Sequence, residues 1–442
     1  MDFVIIANAW SAGIDNPTSK HRIALELARQ GHRVLWIEGA GMRKPSLGSG
    51  SDRARIWGKL KVFLRGARPA VAPAGGAGVA SAIWVLTPLL APLPTVRWIR
   101  LLNGVICACA GRVWSRRLGF RNPVLINYVP VLADAMRFWA RGGGGTEVGG
   151  QRSEVSQKPG IGESGGPTCD SGDRPAIARV VYHCVDRWDA FKMYDSALMA
   201  AADEDCCRRA DLVIASSREL YERCRRFSAN VYLLDHGVDY EHFRAALDAP
   251  PRPKDMPDGR TVGFFGLLSE WLNQDLVVRL ADAAPDAQIV LIGTPDVPID
   301  RLRAKSNIHL LGPRPFRDLP AYIAHFDVGI IPFVVNELTR AVNPIKLREM
   351  LSAGCPVVSS NLPEVVPYAA VAARATGVPE SMAVARDDEE FIRLVQLRLA
   401  QPLDQRARRA LSATMTSETW AARVHTIMGL IGAPAGAREG LS

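Results

Sequence analysis

Short apolar runs alternate with helix-period segments along this chain. The run at residues 3–7 is followed by a long loop and by residues 19–30. There Ile23, Leu25 and Leu27, with Ala24 and Ala28, mark an amphipathic helix that Gly31 stops before a second run at 33–37. Runs at 83–86, 124–127, 180–184, 212–215 and 231–234 are rich in β-branched residues and nearly continuous in apolar character. Strands read this way when helices cover both faces of a parallel sheet. Helices are expected over 194–209 and 217–226.

A Pro- and Gly-rich stretch, residues 249–259, reads as a linker. A second α/β series follows it: strand 261–265, helix 274–284, strand 288–292, helix 318–325 and strand 328–331. A short helix then carries Lys346 and Glu349. Gly354 ends it, Pro356 blocks its continuation, and Val357-Val358 opens another strand. Near the C-terminus Trp420, Val424, Ile427 and Leu430 are spaced for one helix face. The pattern predicts two Rossmann-like doubly wound α/β domains across a cleft, with ligands at the carboxyl ends of the strands. The expected first domain covers 1–245 and the second 246–415. A crossover helix follows at 416–431, and 432–442 is expected to be a disordered tail. Residues 141–175, glycine-rich and without an apolar period, are expected to be a disordered insertion in the first domain.

Charge changes the picture because it is unevenly placed. The net charge is +9 overall, but residues 1–140 hold 19 Lys/Arg against 6 Asp/Glu, a net of +13, and the remainder is net −4. An anionic partner for the first half follows from that asymmetry. Within 53–68, Ile56, Leu60, Phe63 and Leu64 share one helix face, flanked by Trp57 and ringed by Lys59, Lys61, Arg65 and further arginines. Residues 97–121 repeat the theme with six arginines, Trp98 and Trp114. This is the pattern of helices lying in an anionic membrane interface, weighed against ordinary helices with a solvated basic face. The longest uncharged stretch, 69–96, is interrupted by five prolines and so does not read as a membrane span. The first run carries no signal-peptide pattern. No recognised nucleic-acid-binding module or aromatic stripe for bases is present, so nucleic acid is not expected. The eight cysteines form no C-x-x-C and no zinc spacing with histidine, which fits reduced thiols in a cytosolic compartment.

The candidate chemistry centres on residues 343–360. Lys346 and Glu349 lie at i, i+3 and point from one helix face. A helix N-terminus with a lysine beside it suits a phosphate, and a carboxylate one turn later suits ribose hydroxyls. With Asn343-Pro344-Ile-Lys346-Leu-Arg-Glu349 stand further segments in order: Trp10 and Pro17-Thr-Ser-Lys20-His21, His183-Cys-Val-Asp186-Arg-Trp188, residues 210–216, His236-Gly-Val-Asp239, Gly263-Phe-Phe-Gly266, Leu291-Ile-Gly293, Leu311-Gly312 and residues 326–333. Together they resemble retaining GT-B glycosyltransferases, similar to the group 1, family 4-type transferases of bacterial cell-surface polysaccharide synthesis, of teichuronic acid or exopolysaccharide type.

The resemblance implies a metal-independent GT-B enzyme with no cofactor, using a UDP- or GDP-sugar as co-substrate. It places the acceptor, a glycan or a lipid-linked one, on the first domain. With the basic segments and the reduced cysteines, the expected location is cytoplasmic, peripheral at the inner face of the cell membrane. Donor-binding roles are implied for Gly266, Leu267, Gly293, Arg340, Asn343, Pro344, Lys346 and Glu349. Catalytic roles are implied for His183, Asp186, Lys346 and Glu349, and acceptor-side roles for Trp10, Lys20 and His21. The chain also departs from the family. Ala341 stands where many members carry the first glutamate of a Glu-x7-Glu pattern, with Glu337 four residues earlier. Ser269, Glu270 and Trp271 stand where an arginine and a lysine usually follow the glycine turn. Those departures keep a second reading open, a non-catalytic binding or scaffold protein of the same fold at the membrane.

Overall fold

The computed structural model describes residues 1–10, 16–39, 66–70, 82–91, 93–140 and 179–432. The expected insertion at 141–175, the tail beyond Gly432, and Trp57, Lys59, Lys61 and Arg65 lie outside the described residues.

Two parallel sheets form the frame. The first has eight strands in the order β3-β4-β2-β1-β5-β6-β7-β8. Its members are β1 (Asp2–Ala7), β2 (Arg33–Glu38), β3 (Arg68–Pro69), β4 (Ile83–Leu86), β5 (Val124–Asn127), β6 (Arg179–Cys184), β7 (Leu212–Ala215) and β8 (Val231–Leu233). Among the described residues, the edge pairing of β3 with β4 is the one antiparallel strand pairing in this sheet. The second sheet has the order β11-β10-β9-β12-β13-β14, all parallel. It comprises β9 (Thr261–Phe265), β10 (Gln288–Ile292), β11 (Ile308–Gly312), β12 (Val328–Ile331), β13 (Val357–Ser360) and β14 (Met382–Ala385). Every residue of β1, β5, β7, β9, β12 and β13 is buried, as strands covered on both faces must be.

Helix ends follow local chemistry. The first helix, α1 (Ser19–Arg29), stops before Gly31, whose φ is +82°. The helix expected to begin at 194 begins at 196, because the Asp195 carboxylate accepts the Leu198 N–H at 3.0 Å. The helix expected over 318–325 is one turn, Leu319–Ile323, preceded by a 3-10 turn at Phe316–Asp318. Residues 97–117 form a continuous helix, α2 (Arg97–Arg117), followed after β5 by α3 (Ala133–Ala140).

Among the described residues the chain crosses between the two cores twice, and the crossings run side by side. The N–H of Val238 donates to Glu418 O at 2.8 Å, and the N–H of Trp420 to Val238 O at 3.3 Å. A Cβ at Gly237 would come within 2.7 Å of the Trp420 nitrogen, so only glycine allows this approach. Past the second crossing, the C-terminal helix (Trp420–Gly432) buries Trp420, Val424, Ile427 and Leu430 in the first core. It thereby returns to the first domain, and its apolar spacing marks the buried face.

Candidate active site

The second domain contributes two glycine turns at the carboxyl ends of adjacent strands. Gly266 follows β9 with φ +142°, and Gly293 follows β10 with φ +157°. The Gly266 N–H donates to Ile292 O at 2.9 Å, and the Gly293 N–H to Gly312 O at 3.0 Å. A Cβ at 293 would lie 1.7 Å from the Gly266 carbonyl oxygen. A Cβ at 266 would meet Lys346 Cε at 3.4 Å, an ordinary contact. The two glycines therefore have different tasks: Gly293 lets the turns nest, and Gly266 keeps backbone bare beside Lys346. Leu267, the next residue, is exposed.

Lys346 and Glu349 lie on the helix Ile345–Ser352, whose N-cap is Pro344 and has no side-chain cap. Lys346 Nζ donates to Glu349 Oε2 at 3.0 Å and lies 5.0 Å from the centre of the Phe265 ring at the end of β9. Glu349 is buried, and Lys346 is about one third exposed. A lysine partly in solvent, paired to a buried carboxylate next to a bare backbone turn, can exchange that partner for an incoming anion at modest cost. Arg340 is exposed at the end of the short preceding helix, Glu337–Arg340.

The first domain brings a charged cluster to the carboxyl ends of β1 and β6. Lys20, in the first turn of α1, is buried, with its ammonium 4.9 Å from the Trp188 ring and 5.9 Å from the Tyr128 ring. Burial lowers its pKa, and the Asp186 carboxylate opposes the shift. Asp186 in turn is pushed up to about 6 by burial, with Lys20 pulling the other way. His183, at the end of β6, bonds the Tyr128 hydroxyl through Nδ1 at 3.1 Å, and its buried Nε2 has no hydrogen-bond partner among the described residues. Burial, aided by Lys20, holds its pKa down at about 3. A neutral histidine and a carboxyl group poised near pH 6 can accept or return a proton at a hydroxyl group. His21 is instead stacked on Trp36 at 4.8 Å, and Trp10 meets Trp36 edge-on at 5.0 Å. Trp10 and His21 thus form the floor behind the cluster, and Lys20 is the member of that segment that faces Asp186.

Two arginines that the motif reading passed over, together with residues it named, join the two halves. Arg22, one position after His21, is 8% exposed; it pairs with Asp239 at 3.1 Å, lies 3.9 Å from the Phe316 ring, and is close enough to Glu349 to feel its charge. Arg348 is 1% exposed and pairs with Asp235 at 3.0 Å and Glu418 at 3.4 Å, one at each crossing. The Asn343 amide donates to Ser216 O at 2.9 Å, and its oxygen accepts from Arg348. Its side chain is thereby committed to the joint between domains. Glu337 pairs with Arg187 of the first domain, which also holds Asp189 and Glu219. Ala341 is buried against the first core. The signal for Arg348 was present in its place on the apolar face with Leu347 and Leu351, but a local pattern cannot tell a buried ion pair from a solvated arginine. Among the described residues no group of three or more His, Cys, Asp or Glu is placed to hold a metal ion.

Comparison with known proteins agrees with this layout. The family described as Glycosyl transferases group 1 matches residues 259–399, which span the second sheet. The putative teichuronic acid biosynthesis glycosyltransferase TuaH of Bacillus subtilis is 30% identical over 202 residues, covering 42% of this chain and 51% of that protein. The match thus spans about half the length of that relative. Among solved structures, sucrose-phosphate synthase from Thermosynechococcus elongatus aligns with TM-score 0.63 at 12% identity, over 97% of this chain and 98% of that one. Anabaena HepE in complex with UDP and glucose aligns with TM-score 0.58 at 13% identity, over 98% and 100%. The trehalose-6-phosphate protein of Escherichia coli bound with UDP-2-fluoro glucose aligns with TM-score 0.59 at 10% identity, over 98% and 100%. The fold is GT-B: two Rossmann-like domains whose strand ends face each other.

Proposed function

We propose that this protein is a glycosyltransferase that moves a sugar from a UDP- or GDP-sugar on the second domain to a lipid-linked or polysaccharide acceptor on the first, in cell-surface glycan synthesis. The observation that carries the reading is the Lys346–Glu349 pair beside the bare Gly266 turn, opposite the Lys20–Asp186–His183 cluster. In this reading the donor diphosphate meets Lys346 and the uncapped N-terminus of its helix, with Arg340 as a second clamp, while Glu349 accepts bonds from the ribose hydroxyls. Leu267, Gly293 and Pro344 border the nucleotide. The leaving diphosphate is stabilised electrostatically by these groups, without a metal. Asp186 and His183 orient the acceptor hydroxyl and take up its proton. The anomeric configuration is retained, as the family resemblance implies. The protein works on the cytoplasmic side, peripheral to the inner face of the membrane.

The competing reading, a non-catalytic scaffold of the same fold, draws on Ala341 and Trp271 standing where glutamate and a basic residue are usual. One experiment separates the two. The purified protein is given UDP- or GDP-sugars with membrane extract, and nucleotide release is followed. Release with one donor, abolished in Lys346→Ala, is the expected result. No release and no nucleotide binding with any donor would leave the scaffold.

A further inference from the structure

The helix α2 (Arg97–Arg117) is amphipathic in reverse. Its inward face carries small residues. A Cβ at Gly104 would come within 2.8 Å of Asp134 Cβ, and one at Gly111 within 2.2 Å of the Trp139 ring, so α3 (Ala133–Ala140) locks the helix rotation. Ile99 is buried and Trp114 packs against the core, but a stripe of large apolar side chains is left facing outward. Trp98, Leu102, Val105, Cys109 and Val113, spaced by three or four residues, are all exposed, Trp98 to 65%. Leu89 and Leu93, in the loop leading into the helix, extend the exposed apolar surface. Exposed large apolar residues normally scatter singly, so a continuous stripe marks an interaction surface.

Charge identifies the partner. The helix contains five arginines and no acidic residue, and Arg97, Arg116 and Arg117 stand exposed at its two ends. An apolar stripe bearing a tryptophan, with cationic ends and no carboxylate, complements an anionic lipid surface: apolar groups enter the acyl boundary and guanidinium groups meet headgroup phosphates. We propose that α2 docks this protein on an anionic bilayer through that stripe. The helix begins beyond the carboxyl end of β4, at the same end of the parallel sheet as Lys20 and His183. Docking would hold the acceptor side of the cleft at the membrane. The inference rests on the membrane location in the proposed function and assigns it to a specific face.

The experiment uses the full chain, with no donor present, and vesicles of phosphatidylcholine alone or mixed with phosphatidylglycerol. Co-sedimentation should favour the anionic vesicles and fall with salt. Arg97→Gln/Arg116→Gln/Arg117→Gln should lower partitioning on the order of 100-fold, at about fivefold per arginine. Trp98→Ser/Leu102→Ser should lower it about tenfold or more. Brominated lipid should quench wild-type tryptophan fluorescence more than that of Trp98→Phe, which reads contact directly on folded protein. Equal partitioning of wild type and both variants, or equal quenching, overturns the proposal. So does concentration-dependent self-association that Trp98→Ser/Leu102→Ser abolishes, since the stripe would then be an interface between copies. UDP and GDP binding, measured separately by calorimetry, stays unchanged in these variants, so failure here and failure of the transferase reading are distinct results.

Discussion

Gly293 lies so close to Gly266 that a Cβ on the former would sit 1.7 Å from the carbonyl oxygen of the latter. The two turns at the carboxyl ends of β9 and β10 are one unit, and the second positions the first beside Lys346. Gly293→Ala must either break this contact or move the turn. It is expected to cost about 2–4 kcal/mol and several degrees of melting temperature. Gly266→Ala is strained at φ +142° but meets nothing closer than 3.4 Å, so it should cost less stability than Gly293→Ala, and it narrows the space in front of Lys346. Thermal melts together with nucleotide calorimetry separate the two. Similar melting temperatures for both variants would contradict the different tasks assigned here.

Removing either member of the Lys346–Glu349 pair should weaken donor binding by about 1.5–3 kcal/mol, because each makes a charge-assisted contact. Stability should change little in Lys346→Ala, whose side chain is partly in solvent. In Glu349→Gln the amide keeps the shape of the buried side chain. Calorimetry with UDP and GDP is the measurement. Unchanged affinity in both variants would take this helix out of the donor site.

The buried Arg348 serves both domain crossings at once through Asp235 and Glu418. Arg348→Met leaves Asp235 without its counter-charge, while Glu418 keeps Arg423. Both carboxylates are partly exposed, so the expected loss is about 2–3 kcal/mol rather than the full cost of a deeply buried pair. Arg348→Met/Asp235→Asn should recover part of it. Denaturant unfolding of the single and double variants checks this, and additivity would mean that the pair does not interact.

Acid should destabilise the protein through its buried histidines. Burial holds His21 at about 4 and His183 at about 3, below the ordinary histidine value near 6.5. The unfolded chain therefore binds protons there that the folded chain refuses. The stability these neutral histidines provide is complete above about pH 6.5. It is lost as pH falls toward their folded values, at about 1.4 kcal/mol per pH unit each. Asp186 works the other way. Its carboxyl, held at about 6, penalises the fold as pH rises from the ordinary carboxylate value to 6, so it returns some stability on acidification. The net slope between pH 6 and 4 should be a loss, and His183→Gln should make it shallower. Melting temperature against pH is the readout, and an unchanged slope would mean that His183 is not held neutral.

Features that depend on near neighbours in the chain were legible from the residue order alone. Strands β4, β5, β7, β9, β10 and β12 match the expected runs, because a strand covered on both faces must be apolar throughout. Gly31 and Gly354 end their helices at positive φ, a requirement local to each turn. Lys346 and Glu349 meet because i, i+3 geometry belongs to the helix itself. Tertiary structure decided what depends on residues far away in the chain. It turned Asn343 to Ser216, 127 positions earlier, and buried Arg348 between two crossings. It placed Trp10 and His21 behind the charged cluster and left Lys20 facing Asp186. It also rotated α2 so that its glycines meet α3 and the stripe from Trp98 to Val113 faces out, against what hydrophobic burial alone would choose for those residues. The physical reason is that helix rotation is set by which side lets the backbone approach its neighbour most closely, and that neighbour is supplied by the fold.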